Sequence, residues 1–275
     1  MKLAVVLSTH QASFQAVSFK GNVRASLEAV AAAGYHGAEL AVRNAAEVNG
    51  PELLAAAGEL GLDIPAVGTG QMWGEERLSL TSADEKVRRS AIDRIKEHIA
   101  LAAELDAIVI IGLVRGVFPA EEQKQRSWER LEEGLRELGG YAGRQEVRIA
   151  VEAINRYETA YVNSAAEGIE LLERVGEESL GLLLDTFHMN IEEPSMVESI
   201  RATQDRLFHF HLADSNRRYP GAGHIDFRAV LDALLEIGYD AYLSGEFLPE
   251  PDAPTSIKRG RDHMVELLRS STERV

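Results

Sequence analysis

Short apolar runs and longer amphipathic stretches alternate along the whole chain, and that rhythm leaves few folds open. The runs are KLAVVLST (2–9), GAELAV (37–42), DIPAVGTG (63–70), AIVIIGLV (107–114), VRIAVEAIN (147–155), LGLLLDTF (180–187), LFHFHLAD (207–214) and AYLSGEF (241–247). Between them lie helix-like stretches at 22–33, 51–60, 84–105, 121–145, 164–174, 195–203 and 226–237, and a last one, 254–270, follows the eighth run. In 84–105, Val87, Ile92, Ile95 and Ile99 recur near a helical period with charges between them. Asp84, Ser164 and Asp226 stand where helix N-caps are wanted, and Gly34, Gly61, Gly176 and Gly238 where helices end. Eight strands alternating with eight helices predict an α/β fold, a (β/α)8 TIM barrel, as one domain over 1–275. A doubly wound open sheet is the alternative. It fits less well, because eight near-equal units leave no edge strand and no Gly-x-Gly-x-x-Gly follows an early strand.

Bulk properties narrow the function. The chain has no cysteine, so disulfides, thiolate nucleophiles and thiolate metal sites are excluded, and any metal must sit on oxygen and nitrogen donors. Lys and Arg number 29 against 44 Asp and Glu, a net charge of −15 that disfavours nucleic acid as a partner. No apolar run is long enough to span a bilayer, so no membrane partner is expected. The opening run reads as a strand and not a signal peptide, which makes the cytoplasm the expected compartment.

The polar ends of the last four apolar runs carry the chemistry. In a barrel of this kind the C-terminal ends of the strands open onto the active-site face. The fifth run ends in Glu152, the sixth in Asp185, the seventh in His211 and the eighth in Glu246. Neighbouring strands stand about 4.8 Å apart, so these side chains can converge on one point. Three carboxylates and an imidazole suit Mn²⁺, Mg²⁺ or Co²⁺, and Zn²⁺ less well. Each of the four, taken alone, could be a satisfied polar residue at a strand end; four in register favour a metal. The fifth and eighth strands are about 135° apart around the axis, so Glu152 and Glu246 could flank a substrate. One could take a proton from a carbon next to a ketone and the other return it on the opposite face, while the metal chelates the carbonyl and hydroxyl and holds the enediolate.

At these residues the chain resembles the xylose-isomerase-like barrels, and within them the ketose 3-epimerases of the D-tagatose/D-psicose group. The motifs are VEAINRYE (151–158), LLDTFHMNIEE (183–193), HFHLADSNRRYPGAGHIDF (209–227) and SGEF (244–247). The resemblance implies metal ligands at Glu152, Asp185, His211 and Glu246, with Glu152 and Glu246 as the acid/base pair. It also implies substrate contacts at Glu158, His188 and Arg217, manganese as the ion, a small-molecule sugar or sugar acid as partner, and a homo-oligomer, dimer or tetramer. Segments 1–22 and IIGLVRG (110–116) are more similar to the 5-keto-L-gluconate epimerase branch, which interconverts that keto-acid with D-tagaturonate. There Arg115, just past the fourth strand, could pair with a sugar-acid carboxylate. On physics alone, a solvent-facing loop arginine is an equal reading.

Smaller signals have plainer explanations. His209 shares a strand face with His211 and is expected one layer deeper, supporting the site and not contacting substrate. Glu39 is expected to support the site or to pair with a buried arginine. His10 ends the first strand and is more simply structural. GTGQMW (68–73) lacks a phosphate-loop signature and precedes no helix start, and Trp73 either walls the cavity or packs. Of Arg217 and Arg218, the family match selects Arg217 for the cavity. Competing functions are a neutral-ketose 3-epimerase, an aldose–ketose isomerase or inosose dehydratase, an abasic-site endonuclease and a non-catalytic sugar-binding barrel. The endonuclease is disfavoured by the acidic charge and by the lack of an Asp-x-His after the seventh strand.

Overall fold

The computed structural model describes residues 1–119 and 123–272. The start of the expected helix at 121 and the last three residues lie outside the described residues. The barrel strands are β1 (Lys2–Ser8), β2 (Gly37–Ala41), β3 (Ala66–Gly68), β4 (Ile108–Ile111), β5 (Ile149–Glu152), β6 (Leu180–Asp185), β7 (Leu207–Leu212) and β8 (Tyr242–Gly245). All neighbours pair in parallel, and β8 returns to β1 through Lys2↔Tyr242 to Val5↔Gly245, which closes the ring. The open-sheet alternative is thereby excluded. The outer helices are α1 (Val23–Ala32), α2 (Gly50–Glu59), α3 (Glu85–Leu105), α4 (Lys124–Arg144), α5 (Ala165–Val175), α6 (Met196–Thr203), α7 (Phe227–Glu236) and α8 (Ala253–Thr272).

Local chemistry accounts for the boundaries. The side chains of Asp84, Ser164 and Asp226 accept from Lys86 N, Glu167 N and Ala229 N, capping α3, α5 and α7. Gly34, Gly61, Gly176 and Gly238 all have positive φ where α1, α2, α5 and α7 end. Two short helices were not expected. GTGQMW does run into a helix, Gly70–Glu76, and a second, Thr186–Glu192, begins directly at the end of β6. A two-residue strand, Phe19–Lys20, also pairs with the end of β1. Among the described residues no helix is long and apolar enough to cross a membrane.

Strand alternation divides the core in two. Val109, Ile111, Val151, Leu182 and Leu184 pack outward with the helices. Ala66, Ile108, Ile110, Ala150 and Leu183 form a small cluster inside the ring. At β6 and β7 the register steps from Leu182↔Leu207 to Leu183↔His209, so Phe208 is an extra, bulged residue. Its ring packs against the inner cluster, in space that Gly181 leaves by having no side chain. Above the bulge the ladder runs Leu183↔His209 and Asp185↔His211, which turns both histidines inward. A Cβ at Gly181 would meet the Phe208 ring and lie 2.7 Å from Arg206 O. Gly181→Ala should therefore destabilise the protein by about 1–3 kcal/mol in chemical denaturation; an unchanged midpoint would contradict the role given to the bulge.

Candidate metal and substrate site

The mouth of the barrel holds a cavity of about 220 Å³ whose lining includes Glu152, His211 and Glu246. Glu152, Asp185, His211 and Glu246 each bring one donor atom to within 4.8 Å of the others. The spare atoms of two of them are already engaged. Asp185 Oδ1 accepts from Phe187 N at 2.8 Å, capping the short helix, and His211 Nε2 lies 3.0 Å from Glu39 Oε1. What remains, Asp185 Oδ2 and His211 Nδ1, is buried and without a hydrogen-bond partner. His211 Nδ1 in turn faces Glu152 Oε1 at 4.0 Å and Glu246 Oε2 at 3.9 Å. Orphaned buried polar atoms are costly. Two of them aimed at a shared point between two more carboxylates fit a divalent cation with oxygen and nitrogen ligands.

Glu39 carries more of this arrangement than the sequence suggested. Its carboxylate meets both barrel histidines, His209 Nε2 at 2.7 Å and His211 Nε2 at 3.0 Å, and no arginine among the described residues. Burial works against its charge, but the two histidines outweigh burial and hold its carboxyl well below the ordinary range. With Nε2–H donated to Glu39, His211 is left with its Nδ1 lone pair for a metal. Glu39, His209 and His211 could themselves be read as a second ligand group. Their nearest atoms stand 2.7–3.2 Å apart, a spacing for shared protons. Ligands around one tetrahedral ion at about 2.1 Å stand wider, about 3.4 Å apart.

The electrostatics are those of a site short of positive charge. Burial raises the pKa of Glu152, and Glu246 and Asp185 add to that. Burial likewise raises Glu246 and Asp185. Burial opposes charge on His211, yet Glu39, Glu246 and Glu152 overcome it and raise its pKa well above the imidazole value. A divalent cation would replace the protons these groups hold.

Beside this set lies a second, hydrogen-bonded group. Asn155 Oδ1 accepts from Tyr157 N at 3.0 Å, which fixes the amide. Its Nδ2 then donates to Glu158 Oε1 at 3.0 Å and to His188 Nδ1 at 2.7 Å. His188 is therefore the Nε2–H tautomer, with Nε2 3.7 Å from Glu152 Oε1. Burial, then Arg217, keeps it neutral by holding its pKa well below the usual value. Arg217 donates Nη1 to Glu158 at 2.9 Å and Nη2 to Glu246 at 3.5 Å, with its guanidinium 4.8 Å from the Phe187 ring centre. The loop that delivers it is tied down by Asp214, which accepts from Ser215 N, Gly221 N and Ile225 N. Arg218 instead lies outside, donating to Glu250.

One expectation needs correction, one alternative is decided, and some cavity residues were not anticipated. Arg115 neither reaches the cavity nor faces solvent. It is fully buried, and its guanidinium donates to the carbonyls of Ile111, Gly112, Tyr161 and Val162. The reason is local: the chain after β4 makes a 3-10 turn, Leu113–Arg115, that folds the side chain back under the loop following β5. Trp73 lies outside the cavity, beneath the Arg77 guanidinium. Gln71 and Glu75, which sequence reasoning passed over with Asn155, line the cavity from the short helix Gly70–Glu76.

A family model described as xylose isomerase-like TIM barrel matches residues 27–267. The chain belongs to that family. It is 30% identical over 243 residues to a D-psicose 3-epimerase of Agrobacterium fabrum, covering 87% of this chain and 82% of that one. It is 30% identical over 242 residues to an L-ribulose 3-epimerase of Mesorhizobium japonicum, covering 87% and 80%. Among solved structures, an L-ribulose 3-epimerase superposes with a TM-score of 0.86 at 26% identity, over 99% of this chain and 96% of that one. These relatives are epimerases, which are isomerases, and the chain is an enzyme of that class.

Two outcomes follow from the geometry. Glu39→Gln leaves one acceptor for two imidazoles and removes the charge, so Mn²⁺ affinity measured by titration calorimetry should fall about 10–100-fold; an unchanged Kd would remove Glu39 from the site. The second concerns pH. Glu152 and Glu246 bind protons more tightly folded than unfolded, so their contribution to the metal-free protein's stability is full below the ordinary glutamate value of 4.5 and is lost as pH rises toward and through neutrality. A cation replaces those protons, so the rise in Tm on adding Mn²⁺ should be larger at about pH 8 than at about pH 6. Equal rises at both would contradict this.

Proposed function

We propose that the chain is a metal-dependent ketose 3-epimerase that inverts the carbon next to the ketone of a neutral sugar. The observation that carries this reading is the convergence of two glutamates, buried Glu152 at the end of β5 and half-buried Glu246 just past β8, whose carboxylates stand 4.0 and 3.9 Å from His211 Nδ1. A divalent cation held by Glu152, Asp185, His211 and Glu246, with Mn²⁺ proposed over Mg²⁺ or Co²⁺ and Zn²⁺ fitting less well, supplies Lewis acidity to the ketone and its neighbouring hydroxyl. Glu152 and Glu246 act as a base and acid on opposite faces of the reacting carbon: one carboxylate oxygen takes the proton and the other returns it. His188 presents Nε2–H to the substrate oxygen on the Glu152 side, kept in that tautomer by Asn155. Arg217 bridges Glu158 and Glu246 and holds the latter's carboxylate in place.

The keto-uronate reading, in which 5-keto-L-gluconate and D-tagaturonate are interconverted, came from the branch resemblance of segments 1–22 and 110–116, with Arg115 as the partner of the substrate carboxylate. Fully buried, and with each of its three guanidinium nitrogens donating to a backbone carbonyl, Arg115 is not available for that. The names of the curated relatives, D-psicose and L-ribulose 3-epimerase, also support a neutral ketose.

The test is proton NMR of D-fructose and D-tagatose in D₂O with Mn²⁺-loaded and EDTA-stripped enzyme, the metal being removed before spectra are taken. Deuterium entering at C3 with inversion, and only with metal, is the expected result; exchange at C1 instead would indicate an aldose–ketose isomerase. Glu246→Gln should lower kcat by about a thousandfold or more while metal still binds. Near-normal turnover would remove Glu246 from the acid/base pair.

A further inference from the structure

The short helix Gly70–Glu76, at one end of the cavity, carries an unsatisfied acceptor whose orientation a hydrogen-bond chain fixes. Ser8 Oγ donates its proton to His10 O at 2.8 Å, so it must accept from Gln71, whose Nε2 lies 2.9 Å away. The amide cannot be flipped without placing its oxygen against a hydroxyl whose hydrogen is already committed. Gln71 Oε1 is thereby left over, and it is buried without any partner in a residue that lines the cavity. Glu75, one helical turn on, lines the same cavity. Its carboxylate is held from behind by His10 Nε2 at 3.1 Å, Ser13 N at 3.4 Å and Arg43 Nη1 at 3.5 Å.

We infer that Gln71 and Glu75 are specificity-determining residues that accept hydrogen bonds from hydroxyls on the carbons remote from the ketone, and that they select neutral ketohexoses against sugars ending in a carboxylate. The inference rests on the epimerase reading above. A terminal CH₂OH can donate to an amide oxygen and a carboxylate; a terminal COO⁻ can only accept, and it would bring like charge toward Glu75. Arg43 stands 3.5 Å behind Glu75 and outside the lining of the cavity, where a substrate carboxylate does not meet it. Among its described lining residues Arg217 is the one arginine or lysine, and Glu158 and Glu246 already share it.

The test pairs D-tagatose with D-tagaturonate, the same ketohexose with its terminal CH₂OH oxidised to a carboxylate, and adds D-erythrulose, which keeps the reacting centre and lacks the remote hydroxyls. Deuterium exchange at C3 by the Mn²⁺ enzyme gives kcat/KM for each. Wild type should favour tagatose over tagaturonate by about a hundredfold or more. Glu75→Gln, which keeps an acceptor and removes the charge, should narrow that ratio about tenfold. Gln71→Leu should narrow the preference for tagatose over erythrulose by about tenfold, chiefly through KM. A wild-type preference for the acid, or both ratios unchanged in the folded variants, would overturn this inference and leave the epimerase reading standing. No exchange on any ketose would overturn the epimerase reading and this one with it. Thermal melts establish that each variant folds, and if Gln71→Leu does not, Glu75→Gln and the wild-type ratio still decide.

Discussion

His211 is held at one nitrogen by a carboxylate and points the other, unpartnered, toward two more, and the rest of the site is built around that placement. On one side Glu39 takes Nε2–H inside the barrel; on the other Glu152 and Glu246 crowd Nδ1 at the mouth. The arrangement needs β7 in the right phase, because a one-residue slip would turn His209 and His211 outward together. The Phe208 bulge, fitted against Gly181, is what holds that phase. A packing detail at the bottom of the barrel thus sets which side chains of β7 face inward, and Glu39 sets which nitrogen of His211 is left for the mouth.

Charge is the second constraint. Three carboxylates, two buried and one half-buried, meet at one point, and desolvation drives each toward its protonated form. The cations nearby are few, and each already serves partners of its own. Arg217 is shared by Glu158 and Glu246, and Arg115 serves four carbonyls while its charge still favours ionised Glu152. Arg115 is buried without a carboxylate partner, and burial lowers its pKa to about 10. Its place in the structure is to bind the loop after β4 to the loop after β5, and so to fix the wall beside Glu152. Gly112, in that wall, has no room for a side chain, since a Cβ there would lie 2.9 Å from Glu152 Oε2.

The barrel was legible in the sequence because its signals are periodic. Apolar runs and capped amphipathic stretches repeat eight times, and no single ambiguous boundary can disturb that count. The four converging side chains were legible for a related reason: a strand that ends in a charged residue has nowhere to put it except the open face. What escaped was set by short, irregular chain. Gly70–Glu76 has seven residues, about two turns, too few to show a period, so neither its helix nor the cavity positions of Gln71 and Glu75 could be read. Arg115 looked like a carboxylate reader because its sequence position, just past a strand, is right; the 3-10 turn that folds it inward has no signature in sequence. Asn155 and Glu39 were under-read because their partners are 33 and 170 or more residues away.

The most direct measurement is a crystal structure of the Mn²⁺-loaded protein with anomalous scattering recorded at the manganese edge. The expected result is one strong peak about 2.0–2.3 Å from Asp185 Oδ2, His211 Nδ1 and a carboxylate oxygen of each of Glu152 and Glu246. A peak among Glu39, His209 and His211, or ligation of His211 through Nε2, would contradict the account.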